Sequence, residues 1–192
     1  MNKHIGIFGG TFNPPHLGHL VIAQEALKQL DLDEVWWMPT SKPPHKNKVQ
    51  EVTDEHRIQM VEKTIAKNNQ FSISLLEFER SGPSYTIDTI RILNNKFPDV
   101  SFTFIMGGDM VHSLSTWHQI DQLKHLVHFA GINREGYPVD QQWERYKVKH
   151  VEVPYIGISS TMIRSKAKAG QNFRYYVVDE VWKHVKEHHL YG

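Results

Sequence analysis

An α/β fold with a mostly parallel sheet is predicted by three features of this 192-residue chain. Short apolar runs alternate with segments of helical periodicity. Glycine or proline closes several of the apolar runs, as expected where a strand gives way to a turn. The alternation continues along the chain without repeats, low-complexity tracts or a linker, which favours one layered α/β unit over two.

The elements follow in order. The first strand is His4 to Phe8, halted by Gly9-Gly10, and a helix from about Leu17 carries Leu20, Ala23, Leu27 and Leu30 on one stripe. Glu34 to Met38 reads as the second strand, stopped by Pro39. Thr40 to Val52 is polar and proline-interrupted, so it reads as a loop, and connections that long are often functional. Thr53 can cap a helix running to about Lys67, with Ile58, Val61 and Ile65 inward. Phe71 to Leu75 is a third strand, and a helix starts near Thr86 and ends by Lys96, with Pro98 just beyond. Phe102 to Met106, His128 to Ile132 and Val148 to Val153 are the remaining strands, and helices opening at Ser159 and near Tyr175 close the chain.

Composition limits the function classes. A chain of 192 residues fits one domain, 1–192, since chains usually divide only beyond about 250 residues. With 40% hydrophobic and 22% charged residues and a formal net charge of +1, nothing calls for nucleic acid or a membrane surface as a partner. No basic stripe marks a nucleic-acid-binding module. The absence of cysteine removes thiol catalysis and any need for an oxidising compartment. No apolar stretch approaches the roughly 18 residues of a membrane helix, and no signal-peptide layout is seen, so the expected location is cytoplasmic. A homodimer is compatible with these properties.

Gly9-Gly10-Thr11-Phe12-Asn13-Pro14-Pro15-His16-Leu17-Gly18-His19 is the most informative stretch. Two glycines after a strand let backbone approach a bulky anion, because no Cβ intervenes. The helix just beyond supplies free N–H groups and the positive end of its dipole. His16 and His19, three apart, project from one side of its first turn and can reach phosphate oxygens. The alternatives are a purely structural histidine turn or a zinc pair, and for zinc no nearby third ligand has suitable spacing. Neither the P-loop pattern nor G-x-G-x-x-G is present.

Two further elements carry chemistry. Gly107-Gly108-Asp109 sets an acid and two glycines at the end of the fourth strand. Ile158-Ser159-Ser160-Thr161-Met162-Ile163-Arg164 opens a late helix with hydroxyl caps and places an arginine one turn in. A third pattern, His184-Val185-Lys186-Glu187-His188, spells the inverted zinc-peptidase motif. It stands in the last turns of the chain, far from any other candidate ligand, and cationic side chains are favoured at a helix C-terminus. It therefore reads as a helix end, and no metal site is expected.

Over nearly its whole length the chain resembles the bacterial nicotinate-nucleotide adenylyltransferases, of the nucleotidyltransferase superfamily related to class I aminoacyl-tRNA synthetases. The matching elements, in order, are G-G-T-F-N-P-P-H-L-G-H, K-P-P-H-K, G-P-S-Y-T-I-D-T, G-G-D, the tryptophan at 117 and I-S-S-T-M-I-R. The resemblance implies a doubly wound, Rossmann-like sheet of order 3-2-1-4-5-6, in which the first and fourth strands are neighbours and ligands sit at their carboxyl ends. It implies transfer of the adenylyl group of ATP to nicotinate mononucleotide in NAD biosynthesis. His16, His19 and Arg164 would hold the triphosphate and its developing charge. ATP would also meet Gly9, Gly10, Thr11, Phe12, Lys42, Lys46, Gly107, Ser159 and Ser160, with Asp109 on a sugar hydroxyl and Ile132 and Arg134 on the adenine side. Tyr85 and Thr86, at a helix N-terminus, would receive the nicotinate carboxylate, and Trp117 would stack on the pyridine ring. Asp88 would stabilise the first turn of that helix. Mg²⁺ would ride on the ATP phosphates without a protein cage. Two positions depart from the family pattern: Asn13, where relatives more often carry aspartate, and Glu135, where proline commonly follows the adenine-side arginine.

Overall fold

The computed structural model describes residues 3–41, 52–79, 84–133 and 139–192. Six strands form one sheet of order β3-β2-β1-β4-β5-β6: β1 (Lys3–Gly10), β2 (Glu34–Pro39), β3 (Phe71–Ile73), β4 (Val100–Gly107), β5 (His128–Ile132) and β6 (Lys149–Val151). All the pairings are parallel. The helices are α1 (Leu17–Gln29), α2 (Asp54–Ile65), α3 (Thr86–Lys96), α4 (Gly108–His112), α5 (Ile120–Leu123), α6 (Gln141–Arg145), α7 (Ser160–Lys168) and α8 (Asp179–Glu187). None of the described helices is long and apolar enough to cross a membrane.

The central strands are apolar at successive positions because both their faces are covered. Strand alternation deals the side chains to two cores. Ile5, Ile7, Phe102, Phe104 and Met106 meet Ile87, Ile90 and Leu93 of α3 on one face. Phe8, Val35, Trp37 and Ile105 meet Ala23, Ala26 and Leu27 of α1 on the other. A third cluster joins Met60 of α2 to Val181 and Val185 of α8, with Ile163 of α7 and Tyr191. Since β1 and β4 are neighbours whose following helices lie on opposite faces, a crevice opens at their carboxyl ends.

Several boundaries differ from the sequence reading. The third strand stops at Ile73 rather than Leu75: Ser74 still donates to the Trp37 carbonyl (2.9 Å), but the chain then turns, Phe78 N–H bonding Leu75 O at 2.8 Å. The sixth covers only Lys149–Val151, because Gln29 of α1 takes both backbone groups of Glu152, donating to its carbonyl (2.7 Å) and accepting from its N–H (2.9 Å). The helix capped by Thr53 ends at Ile65. Ser159 is the cap of α7 rather than its first residue, and α8 opens at Asp179 after a 3₁₀ turn at Arg174–Tyr176. Helices α4, α5 and α6 were not anticipated; a segment of four or five residues is too short to show periodicity.

Within α2, Ile58 is only half-buried, and the inward stripe instead includes Arg57, which is fully buried. Its guanidinium donates to Thr11 O and to Thr40 O, both at 2.8 Å, and pairs with Asp54 at 2.5 Å. Thr40 in turn donates its N–H to Gly10 O at 2.9 Å. One charged side chain thereby ties the ends of β1 and β2 together, where a charge without partners would be costly. Arg57→Ala leaves two carbonyls without these donors, at a cost of about 3 kcal/mol. The melting temperature should fall by about 6–12 °C, with a smaller fall for Asp54→Ala, whose partly exposed carboxylate water can replace while the two carbonyl bonds stay, by differential scanning calorimetry. Equal small shifts for the two variants would show that water replaces the guanidinium.

Candidate active site

After β1 the chain makes a tight turn before entering α1. Phe12 takes φ = 47°, in the left-handed region that a side chain seldom adopts. Packing holds it there: its buried ring meets Phe8 at 5.5 Å, Trp37 at 5.1 Å and His19 edge-on at 5.1 Å between centroids. A Cβ on Gly10 would stand 2.9 Å from the Phe12 ring, and one on Gly9 would stand 3.2 Å from the Phe104 ring. At both glycines the missing Cβ leaves room for one of the protein's own aromatic rings.

His16 caps α1 in extended conformation, and its N–H donates to His19 Nδ1 at 3.1 Å. An Nδ1 that accepts leaves the proton of the neutral ring on Nε2, so the far nitrogen of His19 is a donor, as a phosphate oxygen requires. The two imidazoles stack at 3.7 Å between centroids with 27° between planes. Gly18 makes that stacking feasible: a Cβ there would sit 3.0 Å from His16 Nδ1. The glycine of H-L-G-H is therefore space for the first histidine.

The late helix docks on the same turn. Ser159 accepts from Met162 N–H (3.2 Å), Ser160 Oγ donates to Pro14 O (2.8 Å), and Arg164 donates to Asn13 O (2.8 Å) and Thr161 Oγ1 (3.2 Å). Tyr191 donates its hydroxyl to Asn13 Oδ1 at 2.5 Å, so the asparagine that departs from the family pattern has an acceptor role that its amide oxygen fills. Arg164, distant in sequence from His16 and His19, is thus joined to the same short turn.

The facing side of the crevice is built from β4 and β5. Gly107 ends β4, Asp109 lies in the first turn of α4, and Ile132, buried at the end of β5, is in register with Gly107. Trp117 is half-buried and meets Phe104 nearly perpendicularly at 5.7 Å. Phe104 is the same ring that covers Gly9, so it lies between Trp117 and the turn. Tyr85 caps α3, just before Thr86, and its ring lies against His118 at 4.4 Å. Asp88 pairs with Arg91 one turn on, at 3.7 Å, as a helix-stabilising residue would. Lys42, Lys46, Arg134 and Glu135 lie outside the described residues.

Arg57, Tyr191 and His118 were not singled out from the sequence. An arginine in an amphipathic helix reads as solvated, and a tyrosine next to the last residue reads as tail. Only the fold shows what they hold.

A cytidylyltransferase-like family model matches residues 7–166. The chain is 48% identical over 190 residues to the protein named Probable nicotinate-nucleotide adenylyltransferase in Lactiplantibacillus plantarum, covering 99% of this chain and 89% of that one. It is 43% identical over 189 residues to the nicotinate-nucleotide adenylyltransferase of Bacillus subtilis, covering 98% of each. The structure of Plasmodium falciparum nicotinic acid mononucleotide adenylyltransferase complexed with NaAD matches with a TM-score of 0.81 at 20% identity, covering 98% of this chain and 97% of that one. That likeness speaks to the fold, whereas the two bacterial relatives, alike from end to end, bear on the family. The turn with its stacked imidazoles, the docked late helix and these relatives agree, and the chain belongs to the cytidylyltransferase-like family and, within it, to the nicotinate-nucleotide adenylyltransferases.

Proposed function

We propose that the crevice at the carboxyl ends of β1 and β4 carries out adenylyl transfer to nicotinate mononucleotide. A phosphate oxygen of the mononucleotide attacks the α-phosphorus of ATP; the new P–O bond gives nicotinate adenine dinucleotide, and the bond to the β-phosphate breaks to release pyrophosphate. The observation that carries this reading is the convergence of Arg164, the stacked His16–His19 pair and the α1 N-terminus on one turn. Such transfers need little covalent help, since positioning and charge stabilisation supply most of the rate. A site of imidazoles, guanidinium and backbone N–H groups fits that demand.

In this reading the His19 Nε2–H and the Arg164 guanidinium bear on the triphosphate, helped by the first N–H groups of α1 and by those of α7 at Ser159 and Ser160. Lys42 and Lys46 supply further positive charge for the phosphates. Asp109 takes a sugar hydroxyl, and Gly107, Ile132 and Arg134 form the adenine side. The donors gathered here suit anions rather than a cation, so Mg²⁺ is carried by phosphate oxygens and water, where it neutralises charge. Tyr85 and Thr86 present the N-terminus of α3 to the nicotinate carboxylate, and Trp117 stacks on the pyridine. An amide would face those donors with its own hydrogens, a mismatch worth a few kcal/mol. The reading also places the enzyme in the cytoplasm, in NAD biosynthesis.

Three measurements test it. Pyrophosphate release with ATP and Mg²⁺ should be fastest with the acid mononucleotide, by about 10²-fold or more over the amide form, and undetectable with phosphopantetheine; equal turnover of acid and amide would remove the carboxylate argument. His19→Ala should lower kcat by about 10²–10³-fold. A change in KM alone would make the imidazole a ground-state binder. In Gly18→Ala, alanine's helix preference, up to about 1 kcal/mol in a helix interior, opposes the shift of the buried His16 ring 3.0 Å away, so the melting temperature should move by no more than about 4 °C. Activity should nonetheless drop roughly 10- to 100-fold, because the new methyl displaces the His16 ring. Full activity in that variant would show that the stacking is incidental to catalysis.

A further inference from the structure

A second group of imidazoles lies away from the crevice. His56 stands in the first turn of α2; His184 lies in α8 and His188 caps its end, one turn further. These helices are packed against each other through Met60, Val181 and Val185. The H-x-x-E-H pattern is therefore not far from other candidate ligands, as its place in the sequence suggested: the fold brings His56 to it. One ring nitrogen from each of the three histidines lies within 4.8 Å of the other two, the only such group of three or more His, Asp or Glu among the described residues.

The geometry approaches that of a coordination site. A tetrahedral ion with metal–nitrogen bonds of about 2.0–2.1 Å sets its ligand nitrogens roughly 3.3 Å apart. His56 Nδ1 and His184 Nε2 are 3.1 Å apart already. Ring centroids are 5.1 Å for His56–His184, 4.8 Å for His56–His188 and 4.5 Å for His184–His188. His184 is buried, at 3% exposure, His56 is half-buried and His188 is exposed, so the third ligand has room to adjust and a fourth position faces water. A hydrogen-bonded His56–His184 pair alone would account for two of the rings, but not for His188 lying over both.

We propose that His56, His184 and His188 form a three-histidine site for a divalent transition-metal ion that prefers imidazole, Zn²⁺ foremost, completed by water. Its role is structural. It fastens α8 to α2 one residue before Arg57, which holds the carbonyls of the phosphate turn, and three residues before Tyr191, which holds Asn13. The site stands independently of the proposed reaction and takes no part in it.

Equilibrium dialysis of tag-free, chelator-treated protein against Zn²⁺, with elemental analysis, tests the proposal. We expect one ion per chain with Kd of about 1 μM or tighter. Saturation should raise the melting temperature by about 5–10 °C. Cobalt(II) in place of zinc should show the intense visible bands of a tetrahedral site. His56→Gln and His188→Ala should each weaken binding by about 100-fold or more, with His189→Ala as the neighbouring control that leaves it intact. His188→Ala changes an exposed position, so its metal-free melting temperature should match that of the parent and separate lost binding from lost fold. Binding well below one ion per chain, or binding unaltered in both variants, overturns the assignment; the latter would move the ion to His16 and His19.

Discussion

Three backbone carbonyls in the turn after β1 support the crevice. Thr11 O is held by Arg57, Asn13 O by Arg164 and Pro14 O by Ser160. In a trans peptide the carbonyl and the following N–H point in opposite directions, so drawing the Thr11 carbonyl inward turns the Phe12 N–H outward. The two prolines that follow offer no N–H at all. The turn thus keeps its acceptor side to the protein, with the Phe12 N–H as a donor turned outward. Side chains from α2 and α7 impose that polarity, and without their packing the turn would have no reason to keep it.

The glycines nearby are fitted to rings of the same chain. Gly10 yields to Phe12, Gly9 to Phe104 and Gly18 to His16. Each removes a Cβ so that the edge of a ring of the same chain can come close to backbone. Phe12, wedged between Phe8, Trp37 and His19, then presses on the histidine expected to meet phosphate. The motif is a set of fitted rings whose fit orients one imidazole, and the glycines are the gaps in which those rings sit.

What was legible from the residues follows from how local each signal is. Strands β1, β2, β4 and β5, helices α1 and α3 and the capping serine of α7 are written in periodicity and punctuation. The resemblance supplied the strand order, and the pairings agree with it. Edge strands β3 and β6 proved shorter than read, because tertiary events end them: a turn at Leu75 for one, the Gln29 side chain for the other. Arg57 and Tyr191 escaped notice because their partners are backbone atoms or a distant asparagine. His56 was invisible for the same reason. Only folding places it over the turns of α8, 128 residues away from His184.

Phe104 has one further implication. Its ring covers Gly9 on one side and meets the edge of Trp117 on the other. In a close-packed interior a plate pressed from one side has little room to yield on the other. A ligand that settled against Trp117 would therefore also bear on the ring beside the end of β1. Were two ligands coupled through that ring, thermodynamic reciprocity would make the effect equal in both directions.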